Sequence, residues 1–256
     1  MEMILAKNAT EIGFEPSPKW VRVMFNGQFV ADSKRAYLLL AGGPPYYYFP
    51  KEDVRMDFME PTEHSEETEF LGKASFWTVK VGERLAQDAA WTYSGPVSGA
   101  PDVRGFITFD WGKMDAWFEE DEEIYAHPHN PYKRIDILES TRHVQVTVLG
   151  ETVADTYNPI LLFETGLPTR YYFPKLDVRM DLLNNSDKVS VCAYKGKAKY
   201  YSVKVGDNIA RDIAWYYTYP TMEAIKVRGR IAFFNEHVDA LYVDGEKQEK
   251  PRTPWS

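Results

Sequence analysis

Cysteine is almost absent. Cys192 is the single one in 256 residues, so no intrachain disulfide can form and no cysteine-rich zinc site can assemble. Long apolar runs are missing too. No stretch approaches the roughly 18 apolar residues of a membrane helix, and residues 1–9 lack the apolar core of a secretory signal. Basic charge is in short supply: 30 Lys and Arg stand against 38 Asp and Glu, a net charge of −8. A nucleic-acid coat protein needs a basic face, so that class is set aside. The expectation is a soluble cytoplasmic protein with neither a membrane nor a nucleic-acid partner. Histidine is sparse, with five in all. His127-Pro128-His129 is the one close pair, and its proline and polar neighbours suit a plain loop. No metal and no cofactor are expected.

What is present is a repeat. Tyr47-Tyr48-Phe49-Pro50-Lys51-Glu52-Asp53-Val54-Arg55-Met56-Asp57 returns 124 residues later as Tyr171-Tyr172-Phe173-Pro174-Lys175-Leu176-Asp177-Val178-Arg179-Met180-Asp181. A period that long is a duplicated domain, not a solenoid unit. A composition 44% hydrophobic and 15% aromatic is globular. Further matches follow in order. Val21-Arg22-Val23-Met24-Phe25 and Val144-Gln145-Val146-Thr147-Val148 alternate in polarity and lead into Asn26-Gly27 and Leu149-Gly150, which reads as a strand and a tight primed turn. Asp88-Ala89-Ala90-Trp91-Thr92-Tyr93 matches Asp212-Ile213-Ala214-Trp215-Tyr216-Tyr217. Helix signals are few: residues 35–41, 83–90, 160–164 and 207–214 suit short helical turns, the last because Ile209, Ile213 and Ala214 lie near one helical face. The remainder is short strands punctuated by Gly and Pro. The fold class is therefore all-β, mainly two tandem domains. The boundaries are an arm over 1–18, a first repeat over 19–118, a charged and proline-bearing linker over 119–140, a second repeat over 141–244 and a polar tail over 245–256.

The second copy carries a fuller set of motifs: Glu164-Thr165-Gly166-Leu167-Pro168-Thr169-Arg170-Tyr171-Tyr172, Cys192-Ala193-Tyr194-Lys195-Gly196, Ala214-Trp215-Tyr216-Tyr217, Phe234-Asn235-Glu236 with Asp239, and Arg252-Thr253-Pro254-Trp255-Ser256. By these the chain resembles the domain-of-unknown-function 427 family, in tandem and over nearly its whole length. The resemblance implies a β-tent fold, many of whose members hold a cysteine-ligated zinc. One cysteine does not suffice for that. The family has carried a nucleotidyltransferase-like label, yet the chain has no Gly-Ser followed by paired aspartates.

Candidate residues come from comparing the copies. In the shared block, alternate side chains of a strand face opposite ways, so Tyr171 and Phe173 share one face and Tyr172 takes the other. Asp177 and Arg179, two apart, can share a face as a salt bridge. A block kept twice is explained more readily by folding than by catalysis. Trp91 and Trp215, with Tyr93 and Tyr217, offer flat area with a polar tip, suited to a planar ligand or to a core. Residues kept only once are more informative. Arg170 stands opposite Tyr46, Lys195 opposite Leu71, Cys192 opposite Thr68, Glu236 opposite Gly112, and Glu164 opposite Leu40 or Ala41. The first copy has Lys34-Arg35 where the second has Tyr157-Asn158. Arg170 and Lys195 can grip a carboxylate or phosphate, while Glu164 or Glu236 can serve as a base if burial raises its pKa. Cys192 near Lys195 is either a small buried apolar residue or an activated thiol. The preferred reading is a binding protein for a small planar or anionic metabolite. Its ligand-binding candidates are Arg170, Tyr172, Asp177, Arg179, Lys195, Trp215, Tyr217, Arg35 and Trp91, in a cleft of the second repeat or between repeats. The alternatives are a metal-free acid/base enzyme using Glu236, Glu164 and Lys195, and a scaffold with its aromatics in cores.

Overall fold

The computed structural model describes residues 12–95, 99–254 and 256. The chain divides into two compact units, Met1–Asn130 and Pro131–Ser256. The first holds strands β1 (Gly13–Pro16), β2 (Val21–Phe25), β3 (Gln28–Ser33), β4 (Tyr37–Leu40), β5 (Tyr46–Pro50), β6 (Met59–Thr68), β7 (Gly72–Val81), β8 (Arg84–Tyr93), β9 (Phe106–Phe109), β10 (Ala116–Glu119) and β11 (Glu122–Ile124). They form a seven-stranded sheet, β1-β4-β5-β9-β8-β7-β6, and a four-stranded sheet, β11-β10-β2-β3. The second unit repeats this with β12 (Ile135–Glu139), β13 (Val144–Val148), β14 (Glu151–Thr156), β15 (Ile160–Glu164), β16 (Arg170–Pro174), β17 (Leu183–Cys192), β18 (Gly196–Val205), β19 (Asn208–Pro220), β20 (Arg230–Phe233), β21 (Ala240–Val243) and β22 (Glu246–Lys247). Its sheets run β12-β15-β16-β20-β19-β18-β17 and β14-β13-β21-β22. All pairings are antiparallel. The mainly β, two-unit architecture expected from the sequence is present. Segments 1–18 and 245–256 each contribute a strand to a sheet, β1 and β22, and segment 119–140 contributes two, β11 and β12.

Each unit has two cores, one on either face of its long sheet. In the second unit Val144, Val146 and Val148 of the short sheet meet Phe173, Val203, Ile213 and Ile231 of the long one. Tyr172, Tyr200, Trp215, Tyr217 and Ala232 pack on the opposite face. Tyr171 packs beside Phe173 while Tyr172 points away, as strand alternation requires. Tyr47, Phe49 and Tyr48 divide in the same way. The tight turns form where expected: φ is positive at both Asn26 and Gly27 (46° and 71°) and at both Leu149 and Gly150 (53° and 80°).

The helical turns expected at 35–41, 83–90, 160–164 and 207–214 are strands instead, β4, β8, β15 and β19. In β8 and β19 the reason is a bulge. Asp88 and Asp212 have φ of 48° and 52°, and the register with β7 and β18 shifts there. Residues 87–89 and 211–213 there stand opposite the single residues Thr78 and Ser202, and this break in the period-2 pattern imitates a helical spacing. The actual helical turns are 3-10 turns, two of them directly after the repeated Tyr-Tyr-Phe-Pro, at Lys175–Asp177 and Met180–Leu182. That breaks the expected Asp177–Arg179 salt bridge. Asp177 accepts from the Thr156 hydroxyl at 2.5 Å, and Arg179 pairs with Asp181 at 2.6 Å. Among the described residues, no helix is long and apolar enough to cross a membrane.

Candidate functional site

The site is built on the face of the second unit's long sheet that carries Tyr172. Strand pairing sets Tyr172 opposite Ala232, Ala232 opposite Trp215, and Trp215 opposite Tyr200. Ala232 presents only a methyl group, so the Trp215 indole N–H reaches over it to the Tyr172 hydroxyl at 3.3 Å. Phe234, just past β20, packs against Trp215 with centroids 4.6 Å apart and stacks on Tyr200 at 6.3 Å. Together these rings form an aromatic floor on this face.

Charged groups converge on that floor. Arg170 opens β16, and its guanidinium lies 5.6 Å from the Trp215 ring centre and 5.9 Å from that of Phe234. It donates two parallel hydrogen bonds to Glu236, at 2.7 and 2.6 Å. The pair is buried, with side-chain exposures of 9% and 1%. Thr253 of the C-terminal tail donates to the same carboxylate at 2.7 Å. Burial opposes ionisation of Glu236, but the bonds from Arg170 and Thr253 outweigh it and hold the carboxyl at about 2. A carboxylate so occupied is a poor proton acceptor at neutral pH. Lys195, in the β17–β18 turn, donates to Glu164 Oε2 at 2.5 Å, with side-chain exposures of 13% and 6%. Two ion pairs thus sit at the edge of one aromatic cluster.

Tyr217 completes the arrangement. It is 4% exposed, and its hydroxyl has no hydrogen-bond partner among the described residues. Burial pushes this phenol up, and Tyr172, Cys192, Tyr200 and Glu164 push it further in the same direction. Of these neighbours, Glu164 is the one carboxylate. The second oxygen of Glu164, Oε1, also lacks a hydrogen bond among the described residues.

The structure thus gathers Glu164, Arg170, Tyr172, Lys195, Trp215, Tyr217 and Glu236, with Cys192 close to Tyr217. It does not bring in Asp177 or Arg179, whose bonds go to Thr156 and Asp181. Arg35 and Trp91 belong to the first unit, where Arg35 is exposed and paired with Asp53 at 2.6 Å. Tyr200, Phe234 and Thr253 were absent from the expected set. The adjacency of Phe234 to Glu236 was a usable signal for one of them. Register settles one alternative. Tyr171 and Arg170 pair with Leu161 and Leu162, as Tyr47 and Tyr46 pair with Leu38 and Leu39, so Glu164 stands opposite Ala41. The counterparts of the four charged residues are then Ala41, Tyr46, Leu71 and Gly112.

Two surface cavities lie elsewhere. One is lined by Phe25, Arg84, Asp88 and Lys113, but Arg84 is paired with Asp115 and Lys113 with the carbonyls of Gln87 and Asp88. The other is lined by Asn235, Asp239, Leu241 and the tail residues Lys247 and Lys250. His127 Nδ1 lies 2.7 Å from the Pro128 carbonyl. Among the described residues no three His, Cys, Asp or Glu gather as a metal donor set.

The sequence profile of a domain of unknown function, DUF427, matches residues 13–120 and again 136–244. The chain belongs to the DUF427 family. Each DUF427 segment covers one pair of sheets apart from the edge strand β11 or β22, and the matched segment of the second unit ends before Thr253. No curated protein matches the chain. The DUF427 description names no activity, so a function has to be argued from the ion pairs and aromatic floor of the second copy.

Proposed function

We propose that the second DUF427 repeat binds a small planar metabolite bearing an anionic group, with Trp215 and Phe234 as the floor and Lys195 and Arg170 at its charged edge. One observation carries this reading: Glu164, Arg170 and Glu236 are buried and Lys195 is nearly so, on the face that carries Tyr172 and Trp215, and the same fold forms in the first unit with Ala41, Tyr46, Gly112 and Leu71 in their places. Folding alone does not require them, since a buried ion pair is often no more stable than an apolar substitute. The carboxylates hold the cations in position before a ligand arrives. The low pKa of Glu236 favours binding over acid/base catalysis by that residue.

The test is a thermal-shift screen of the full chain against nucleotides, sugar phosphates, organic acids and amino acids. A hit should vanish in the double variant Glu164→Ala/Lys195→Leu, which copies Ala41 and Leu71 and leaves no buried charge unpaired. Silence across the panel, or a hit that the double variant retains, would reject the site.

A further inference from the structure

The Lys195–Glu164 pair constrains what can enter. Glu164 lies near Tyr172 and Tyr217 on the face that carries Trp215, and Lys195 is the more exposed member of the pair, with 13% of the side chain accessible. A ligand reaching Trp215 from this side has to open the pair. Removing one partner of a buried ion pair is strongly unfavourable, because the other charge is left uncompensated. An anion that captured Lys195 would strand Glu164. A cation that captured Glu164 would strand Lys195. A ligand carrying both signs avoids either cost, since its carboxylate takes the place of Glu164 at Lys195 and its ammonium takes the place of Lys195 at Glu164. Four charges, each paired, replace two.

The surroundings fit the ammonium end independently. Glu164 Oε1 has an unused acceptor position among the described residues. Tyr217 is 4% exposed, its hydroxyl has no hydrogen bond among the described residues, and its oxygen can accept from an N–H group. The flat part of such a ligand would lie over Trp215 and Phe234, whose rings are 4.6 Å apart.

Resting on the binding function proposed above, we infer that the ligand is a zwitterion with a planar substituent, of the aromatic amino-acid class. Its ammonium is held by Glu164 and Tyr217, and its carboxylate by Lys195. The first repeat, with Ala41 and Leu71 at the corresponding positions, binds no such ligand.

The experiment compares three matched probes on the full chain by thermal shift and by calorimetric titration: phenylalanine, phenethylamine and 3-phenylpropionate. Tryptophan, tyrosine and histidine extend the first arm. At least one amino acid is expected to raise Tm by about 2 °C or more at millimolar concentration. The matched amine and acid are expected to bind at least tenfold more weakly. Glu164→Ala/Lys195→Leu should abolish the response, while Tyr217→Phe should weaken it without changing the apo Tm by more than about 2 °C. Binding of 3-phenylpropionate as tight as that of phenylalanine, and lost in the double variant, would overturn the zwitterion while leaving the binding site intact. Equal binding of the amine would do the same. Silence in all arms, with a hit elsewhere in the metabolite panel, would overturn the ligand class alone. Silence in both would overturn the site as well.

Discussion

Glu236 is acidic because of what holds it. The folded carboxyl titrates at about 2 against an ordinary 4.5, so folding favours its charged form. The stability it contributes is complete above pH 4.5 and is lost as pH falls towards 2. An acid titration of the second unit, followed by circular dichroism, should show this loss, and Glu236→Gln should flatten the curve in that window. A different residue argument applies in the first unit. Thr108 takes the place of Ala232 in the strand row, is fully buried, and has no partner for its hydroxyl. Burying such a group costs about 1–3 kcal/mol. Thr108→Val keeps the β-branched shape and removes the hydroxyl. It should raise stability by about 1 kcal/mol, read as a higher urea midpoint at unchanged slope.

Turns and strand ends aim the charged groups. Lys195 precedes Gly196, whose φ is 91° and where an added Cβ would stand 3.2 Å from the Tyr219 carbonyl oxygen. Gly196→Ala should therefore destabilise the second unit by about 1–3 kcal/mol, measured by chemical denaturation. At this scale the sequence was legible where one period governs. Tyr171, Tyr172 and Phe173 alternate across a strand, and their faces follow from that alone. It was misleading where the period breaks. The bulges at Asp88 and Asp212 imitated helices, and the 3-10 turns after Pro50 and Pro174 separated Asp177 from Arg179. The charged residues of the site could be named by comparing the copies. Their partners could not, since Arg170 and Glu236 lie 66 positions apart and Thr253 reaches Glu236 from a polar tail outside the matched segments. Such contacts depend on chain closure, which no local spacing records.

Over the whole molecule, each unit holds both of its cores within its own residues. Residues 131–256 expressed alone should accordingly show a cooperative thermal transition and a β-type circular dichroism spectrum. A fragment that stays unfolded would show that the second unit depends on the first. The duplication also separates two demands that one domain must meet together. The first copy shows which parts of the face the fold needs, with Tyr48, Trp91 and Phe76 in the same row as Tyr172, Trp215 and Tyr200. The second shows what was added to that row.

Trp91 and Trp215 are thus a matched pair of indoles in one polypeptide, buried to 4% and 7% exposure. Of the two, only Trp215 has a guanidinium over its ring among the described residues. With fluorinated tryptophan incorporated biosynthetically, a single nuclear magnetic resonance sample would contain both a reporter and its blank. A compound that moves the Trp215 signal and leaves Trp91 still would be identified as a ligand of the second face without a second preparation.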